Sequence, residues 1–235
     1  MKSVTDGNGT TYFLDMSDKG KSFGIMLFIP MSVSLVEQVP MLVYYHGHNS
    51  QHSIETYIQA MAQRDFRPSL QNKQVLLVEP WGGGRSNFGA LQTPAGLDAL
   101  IDLVMFTAIS NGPPVRPCPA KPPSPKSLIL AGFSGGGQAL NAVAMSSSGT
   151  YQRLLAEAWC FDCFYSEEGA RWATWARGHT SVKLRVRLST GESSGSPRRE
   201  GGILQAASNG LNVDVGPLVH CGHEDLPGQC ISTFL

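Results

Sequence analysis

The chain has 235 residues, of which 42% are hydrophobic and 15% are charged. This length is typical of one globular domain, so we predict a single domain over residues 1–235. The 18 basic and 18 acidic residues cancel, which argues against a nucleic-acid partner because phosphate binding needs clustered Lys and Arg.

Short apolar runs predict a series of strands along the chain. The first two are expected to pair as an antiparallel hairpin, and most of the others are continuous apolar runs, which suit strands buried on both faces. The strand over 182–188 alternates apolar and polar residues and is expected nearer an edge. In chain order, the predicted strands cover residues 11–15, 24–29, 41–45, 74–78, 127–131, 157–161, 182–188 and 211–219.

Helical patterns lie between these strands. The clearest begins at Thr93-Pro94, where an N-cap residue precedes a proline at the first helical position. The other predicted helices cover 54–64, the segment directly after Ser134, 167–177 and 229–235. Alternating strands and helices predict an α/β fold with a mostly parallel central sheet of about eight strands and helices on both faces.

Two other features concern the loops and the cysteines. Residues 113–125 contain seven prolines, and we predict a stiff surface loop there, since proline is excluded from helix interiors and central strands. The five cysteines are too few for a disulfide framework. Cys160 and Cys163 are three apart on a predicted strand, so we expect opposite orientations and buried, unreactive thiols.

The strongest chemical signal is Gly132-Phe133-Ser134-Gly135-Gly136, which fits G-x-S-x-G. A buried strand precedes it and a helix follows. A serine on such a sharp strand-to-helix turn is exposed at the strand's carboxyl end. The N–H groups of the following helix point towards a developing oxyanion. The pattern therefore predicts that Ser134 is a nucleophile.

With this motif in place, the order of elements resembles the α/β-hydrolase superfamily and its esterases and lipases. The resemblance implies a nucleophile after the fifth core strand, an acid after a later strand and a histidine after the last one. In this sequence Ser134 is followed by Asp162, at the end of the strand over 157–161, with Glu192 as the alternative acid. The histidine is His223, with His220 as the alternative.

The same resemblance assigns the surroundings of the serine. His46-Gly47-His48-Asn49 resembles the HG-x motif of esterases and lipases. It implies that the oxyanion is bound by the backbone N–H groups of Gly135 and His48. Trp81 and Phe133 are the candidates for an apolar substrate pocket. About 20 residues separate Asp162 from Val182, which leaves room for only a minimal cap.

These residues together predict a serine hydrolase that cleaves carboxylic esters of small molecules through an acyl-enzyme, without a cofactor. An amidase or peptidase with the same triad is one alternative. A metal-dependent hydrolase using His46 and His48 is a second, although we expect no metal, and an inactive binding module is a third. No apolar run reaches the ~20 residues of a membrane span. The first residues carry no signal-peptide pattern, so we expect a cytoplasmic protein, although a trimmed secreted form would read the same.

Overall fold

The structure is a computed structural model, and it describes residues 1–18, 21–35, 38–60, 66–111, 124–146, 148–191 and 195–235. The prediction of a proline-rich loop over 113–125 lies outside these residues except at its last two positions. Glu192, the alternative acid, also lies outside them.

Nine strands of the described residues form one sheet in the order β1-β2-β3-β5-β4-β6-β7-β8-β9. The three pairs β1-β2, β2-β3 and β3-β5 are antiparallel. The remaining five pairs of neighbouring strands in this order, beginning with β5-β4, are parallel. The strands are β1 (Lys2–Thr5), β2 (Gly9–Asp18), β3 (Lys21–Pro30), β4 (Met41–Tyr45), β5 (Leu76–Pro80), β6 (Leu128–Phe133), β7 (Leu155–Phe161), β8 (Lys183–Arg187) and β9 (Val213–Val215).

Seven α-helices of the described residues connect and flank the sheet. They are α1 (Ile54–Ala60), α2 (Arg67–Leu70), α3 (Pro94–Asn111), α4 (Gly137–Ala144), α5 (Glu168–Gly178), α6 (Gly195–Ala207) and α7 (Leu226–Phe234). Single 3₁₀ turns lie at Gly89–Gln92, Ser134–Gly136, Gln152–Leu154 and His223–Asp225. None of the helices in the described ranges is long and apolar enough to cross a bilayer.

The core lies on both faces of the sheet because successive side chains of a strand point in opposite directions. On β6, Leu128 and Leu130 belong to a cluster with α3, α4 and α5. Ile129 and Ala131 belong to a second cluster with α1 and α7. Every residue of β4 and β6 is buried, as the continuous apolar runs predict. The predicted mostly parallel sheet with helices on both faces is therefore confirmed.

The strand bounds predicted from the sequence differ most from the observed bounds at the two edges of the sheet. β1 was not predicted, because all four of its residues are exposed and carry no apolar pattern. The last strand, predicted over 211–219, is shortened to β9 (Val213–Val215). Gly216 and Pro217 follow it, and proline has no N–H to continue the ladder. The chain rejoins the sheet at one bridge between Ser189 and Val219.

Candidate active site

Ser134 lies in a sharp turn at the carboxyl end of β6. Its φ is 49°, a left-handed conformation that is costly for residues with a Cβ atom and is found at functional sites. The glycines of the motif make the turn possible. A Cβ atom at Gly136 would clash with the carbonyl oxygen of Tyr45, and one at Gly132 would lie 3.0 Å from Cβ of Leu140. The turn is thus packed tightly between β4 and α4.

Asp162 directly follows β7 and is completely buried. It also has a left-handed backbone, with φ of 46°. Oδ1 accepts a hydrogen bond from the backbone N–H of Ser189 at 3.0 Å. Oδ2 accepts bonds from the Ser189 hydroxyl and, at 3.0 Å, from Nδ1 of His223. These donors replace the water that a buried carboxylate loses.

The cysteines that flank Asp162 are paired in a disulfide, and the prediction of two separate thiols is wrong. That prediction applied strand geometry to both residues, although Cys163 lies beyond the end of the strand at Phe161. The left-handed turn at Asp162 then brings the chain back, so that the Cα atoms of Cys160 and Cys163 are 5.4 Å apart. The disulfide closes the short turn that carries the carboxylate.

His223 begins the 3₁₀ turn that precedes α7. Its ring packs on Phe133 with 4.8 Å between centroids, and its side chain is 11% exposed. The neighbouring loop supports it closely, since a Cβ atom at Gly191 would lie 2.8 Å from the backbone nitrogen of His223. His220, in contrast, is exposed. The structure therefore brings His223, and not His220, to Asp162.

The loop after β4 lies against the serine. A Cβ atom at Gly47 would be 2.8 Å from the Phe133 ring and 2.9 Å from Cβ of Ser134. The imidazole of His48 covers Gly135, because Cδ2 and Nε2 of His48 would both be 2.7 Å from a Cβ atom there. The two predicted oxyanion residues, Gly135 and His48, are thus neighbours beside Ser134.

His46 is an anchor for this loop. It is fully buried, and its Nε2 accepts a hydrogen bond from the N–H of Gly82 at 3.1 Å. Nδ1 lies 2.7 Å from the carbonyl oxygen of Gly47 and acts as the donor. Burial lowers the pKa of His46 to about 4. Both ring nitrogens are engaged by backbone groups, which leaves neither for a metal ion.

The described residues contain no group of three or more His, Cys, Asp or Glu side chains that could hold a metal.

A cleft of about 690 Å³ opens beside Ser134. Most residues that line it are of polar or charged type, although their apolar atoms contribute about half of the wall surface, and they include His48, Gln138, Tyr165, Glu167, Glu168 and Arg171. Neither residue predicted for an apolar pocket contributes to it. Trp81 packs on the ring of His46, 4.8 Å away, and lines a separate cavity. Phe133 is buried beneath His223. The prediction weighed apolar character alone, and the sequence does not indicate which apolar surfaces the core uses.

Tyr165 is a site residue that the sequence analysis missed. Its hydroxyl lies 3.4 Å from Oγ of Ser134 and donates a hydrogen bond to the backbone carbonyl of Asp162 at 3.1 Å. Burial raises the pKa of Tyr165 above its usual value. The one available signal is that a tyrosine follows the predicted acid by three residues, and this alone does not indicate contact with the serine.

The loop that carries Tyr165 is fixed to α4 and α5 by a series of buried and partly buried hydrogen bonds. The Tyr165 N–H donates to Oε2 of Glu168 at 2.7 Å. The side-chain amide of Asn141 donates to the other oxygen of Glu168. Trp172 donates in turn from Nε1 to Oδ1 of Asn141 at 2.7 Å. Trp172, on the short helix α5, is thus part of the core and does not form a lid over the cleft.

Comparison with solved structures finds proteins that share this architecture. A ferulic acid esterase matches with a TM-score of 0.64 at 11% identity, over 96% of this chain and 98% of that chain. An S-formylglutathione hydrolase from Agrobacterium tumefaciens matches with a TM-score of 0.59 at 12% identity, over 100% and 94% of the two chains. A mutant of the feruloyl esterase module from Clostridium thermocellum, complexed with sinapinate, matches with a TM-score of 0.60 at 11% identity, over 94% and 88%.

No protein-family profile matches the chain, and no curated protein matches it. At these identities the structural matches establish the fold. The chain has the α/β-hydrolase fold, as the resemblance in the sequence predicts.

Proposed function

We propose that the protein is a serine hydrolase that cleaves carboxylic esters of small molecules through an acyl-enzyme. The observation that carries the proposal is the coincidence of two features at one edge of the sheet. Ser134 has a left-handed backbone at the start of a helix. His223, whose ring packs on the neighbouring Phe133, is bonded to the buried carboxylate of Asp162. A nucleophile, a base and an orienting acid are the groups that acyl transfer to serine requires.

In this mechanism Ser134 Oγ attacks the ester carbonyl carbon. Nδ1 of His223 is bound to Asp162, so Nε2 is the nitrogen left to take the serine proton. The same nitrogen then delivers that proton to the departing alcohol. Asp162 fixes the tautomer of the imidazole and stabilises its protonated form. Water finally cleaves the acyl-enzyme by the same sequence of proton transfers.

The developing oxyanion is assigned to the backbone N–H groups of Gly135 and His48. Gly135 lies in the first turn after β6, where N–H groups have no partner within the helix. In the part of the chain that the structure describes, no protein acceptor takes the N–H of His48. Two donors are therefore available beside Ser134. Loss of one such donor typically raises the barrier by ~2.7–4 kcal/mol.

Esters are proposed as substrates because the matching structures include a ferulic acid esterase, a feruloyl esterase module and an S-formylglutathione hydrolase. In addition, the cleft is open to solvent in the part of the chain that the structure describes. The polar wall formed by residues such as Gln138 and Arg171 suits an ester that carries hydrogen-bonding groups. The same triad could cleave amides, so each ester of the test panel is paired with its matched amide.

The first experiment is intact-mass analysis after labelling with a fluorophosphonate. Wild type, Ser134→Ala and Ser166→Ala are compared, because Ser166 lines the same cleft but, among the described residues, forms no hydrogen bond with Ser134, Asp162 or His223. We expect one adduct on wild type and on Ser166→Ala, and none on Ser134→Ala. An adduct that survives Ser134→Ala, or folded wild type that takes no label, would refute the proposal.

A second experiment measures turnover of the paired esters and amides. We expect esters to be cleaved at least ~100-fold faster than their amides, with no loss of rate after treatment with a chelator. Comparable rates on the two series would favour the amidase or peptidase alternative.

A further inference from the structure

We infer that the Tyr165 hydroxyl donates a hydrogen bond to Ser134 Oγ as this oxygen departs from the acyl group, which makes Tyr165 a catalytic residue for deacylation. The inference rests on the proposed serine mechanism and adds a residue to it. Its basis is that the Tyr165 hydroxyl lies within hydrogen-bond distance of two acceptors, the carbonyl oxygen of Asp162 and Oγ of Ser134.

The first step concerns the hydrogen itself. The Tyr165 oxygen is 3.1 Å from the carbonyl oxygen of Asp162 and 3.4 Å from Oγ of Ser134. In the resting protein the hydrogen is directed to the carbonyl. A rotation about the C–O bond directs it to Oγ without movement of the ring. The donor is therefore in place before negative charge develops on the serine oxygen.

The second step concerns how the ring is held. Three residues of the segment 162–167 have left-handed backbones, with φ of 46° at Asp162, 41° at Ser166 and 66° at Glu167. Such conformations persist only where the surroundings enforce them, and they cluster at functional sites. Glu168 holds this loop conformation in place, because its carboxylate accepts a hydrogen bond from the Tyr165 N–H at 2.7 Å. Because Tyr165 also lines the cleft, a substrate bound there lies next to its hydroxyl.

The third step identifies the half-reaction that benefits. Before acylation the serine hydroxyl is a good acceptor, and the same rotation of the Tyr165 hydroxyl can direct its hydrogen to Oγ, so a bond formed there stabilises the ground state as well as the transition state. In the acyl-enzyme Oγ is the alkoxy oxygen of an ester, which is a weak acceptor. A hydrogen bond accelerates a step only by what it gains between the ground state and the transition state. The gain is therefore larger in deacylation.

The deacylation step is balanced without transfer of the tyrosine proton. Water adds to the acyl carbon while Nε2 of His223 takes one of its protons. The tetrahedral intermediate then collapses and the bond between the acyl carbon and Oγ breaks. The electron pair passes to Oγ, which receives the proton from the imidazolium of His223. Tyr165 stabilises the charge on Oγ during this collapse and remains a phenol throughout.

The phenol form suits this role over the working pH range. Burial, with smaller contributions from the charges of Asp162, Glu168 and Glu224, raises the pKa of Tyr165, whereas the bond to Ser134 opposes that shift. The group therefore acts as a hydrogen-bond donor and not as a base.

The test measures the two half-reactions separately with p-nitrophenyl acetate. Stopped-flow release of nitrophenolate gives the acylation rate constant. Intact mass after removal of excess ester gives the decay of the acyl-enzyme. Wild type is compared with Tyr165→Phe and with Tyr12→Phe, a matched control that removes a tyrosine bond of 3.0 Å to the carbonyl of Asn111, far from the cleft.

For Tyr165→Phe we expect deacylation to slow about tenfold, the change typical of losing one bond to a charged acceptor. Acylation should change less than about threefold on the same reasoning. As a result kcat and KM fall together and kcat/KM is nearly unchanged. Tyr12→Phe should leave both rate constants at the wild-type values.

Equal slowing of both half-reactions in Tyr165→Phe would overturn the inference and assign Tyr165 a merely structural role, as would no slowing at all. Misfolding is separated from these outcomes because the burst amplitude counts competent sites. Failure of the underlying mechanism looks different again, since wild type would then form no acetyl adduct on Ser134.

Discussion

The substitution Asp162→Asn separates the catalytic role of this carboxylate from its structural role. In the native protein the two oxygens of Asp162 accept hydrogen bonds from the Ser189 N–H, the Ser189 hydroxyl and the His223 ring. An asparagine offers one acceptor and one donor in the same place. If its oxygen faces the Ser189 N–H, its amide group faces the hydroxyl of Ser189 and Nδ1 of His223.

That arrangement keeps the polar atoms paired but changes the imidazole. The hydroxyl can rotate to become an acceptor, and His223 can accept at Nδ1 if its proton moves to Nε2. Nε2, the nitrogen proposed to take the serine proton, then carries a hydrogen and cannot act as the base. In serine proteases the same change of tautomer lowers kcat by ~10⁴-fold, which is ~5.5 kcal/mol of barrier. The free energy of unfolding should change by no more than ~1–2 kcal/mol, since the bonds are rearranged and a buried charge is removed.

The assay is ester hydrolysis together with urea unfolding, on wild type, Asp162→Asn and Glu192→Gln. We expect the loss of activity only in Asp162→Asn, with all three proteins of similar stability. A loss of less than ~100-fold in folded Asp162→Asn would refute the tautomer argument. Activity lost in Glu192→Gln but kept in Asp162→Asn would assign the acid role to Glu192.

Three further predictions concern the support of the site. The folded pKa of His46 is about 4 against an unfolded value near 6.5, so the unfolded state binds more protons as the pH falls through this window. Wild type should lose about 3 kcal/mol of stability from this group between pH 7 and pH 4, and parallel profiles for wild type and His46→Gln in urea titrations would contradict this. Gly47→Ala should lower the free energy of unfolding by ~1–3 kcal/mol and esterase activity at least ~10-fold, because the added Cβ would clash with Ser134 and Phe133. An alanine variant with wild-type rates would show that the loop can move to accommodate the Cβ. Ser86 is buried with φ of 52°, and its hydroxyl has no hydrogen-bond partner among the described residues. Ser86→Gly should therefore raise the midpoint of urea unfolding by a margin equivalent to ~1 kcal/mol, and a lower midpoint would count against strain at this position.

The parts of the site that could be predicted from the sequence are those fixed by local signals. A continuous apolar run followed by G-x-S-x-G predicts both the strand β6 and the turn at Ser134. Chain order then narrows the acid and the base to two candidates each. The choice of His223 over His220 depended on the glycine-flanked loop before α7, and the structure places that histidine beside Asp162.

The parts that could not be predicted depend on how distant segments meet. The disulfide of Cys160 and Cys163 requires the chain to turn back at Asp162, whose backbone is left-handed, and nothing in the sequence pattern marks that turn. Helix α6 (Gly195–Ala207) contains two adjacent glycines, and a Cβ at Gly201 would clash with Leu188. Close packing against Leu188, the residue after β8, thus overrides the low helix propensity of the segment. Tyr165 reaches Ser134 only because of a loop whose backbone is left-handed at several positions.

The segment from Asp162 to Glu168 contributes both to the proposed catalytic groups and to the wall of the cleft, and this limits which sequence changes can alter the substrate range. One short loop holds Asp162, the proposed acid, brings Tyr165 to the serine and forms part of the cleft wall. An insertion there that enlarged the cleft would also displace the acid. New substrate ranges, in nature or in directed evolution, should therefore arise by point changes at Gln138 and Arg171, which line the cleft from helices and hold no part of the triad.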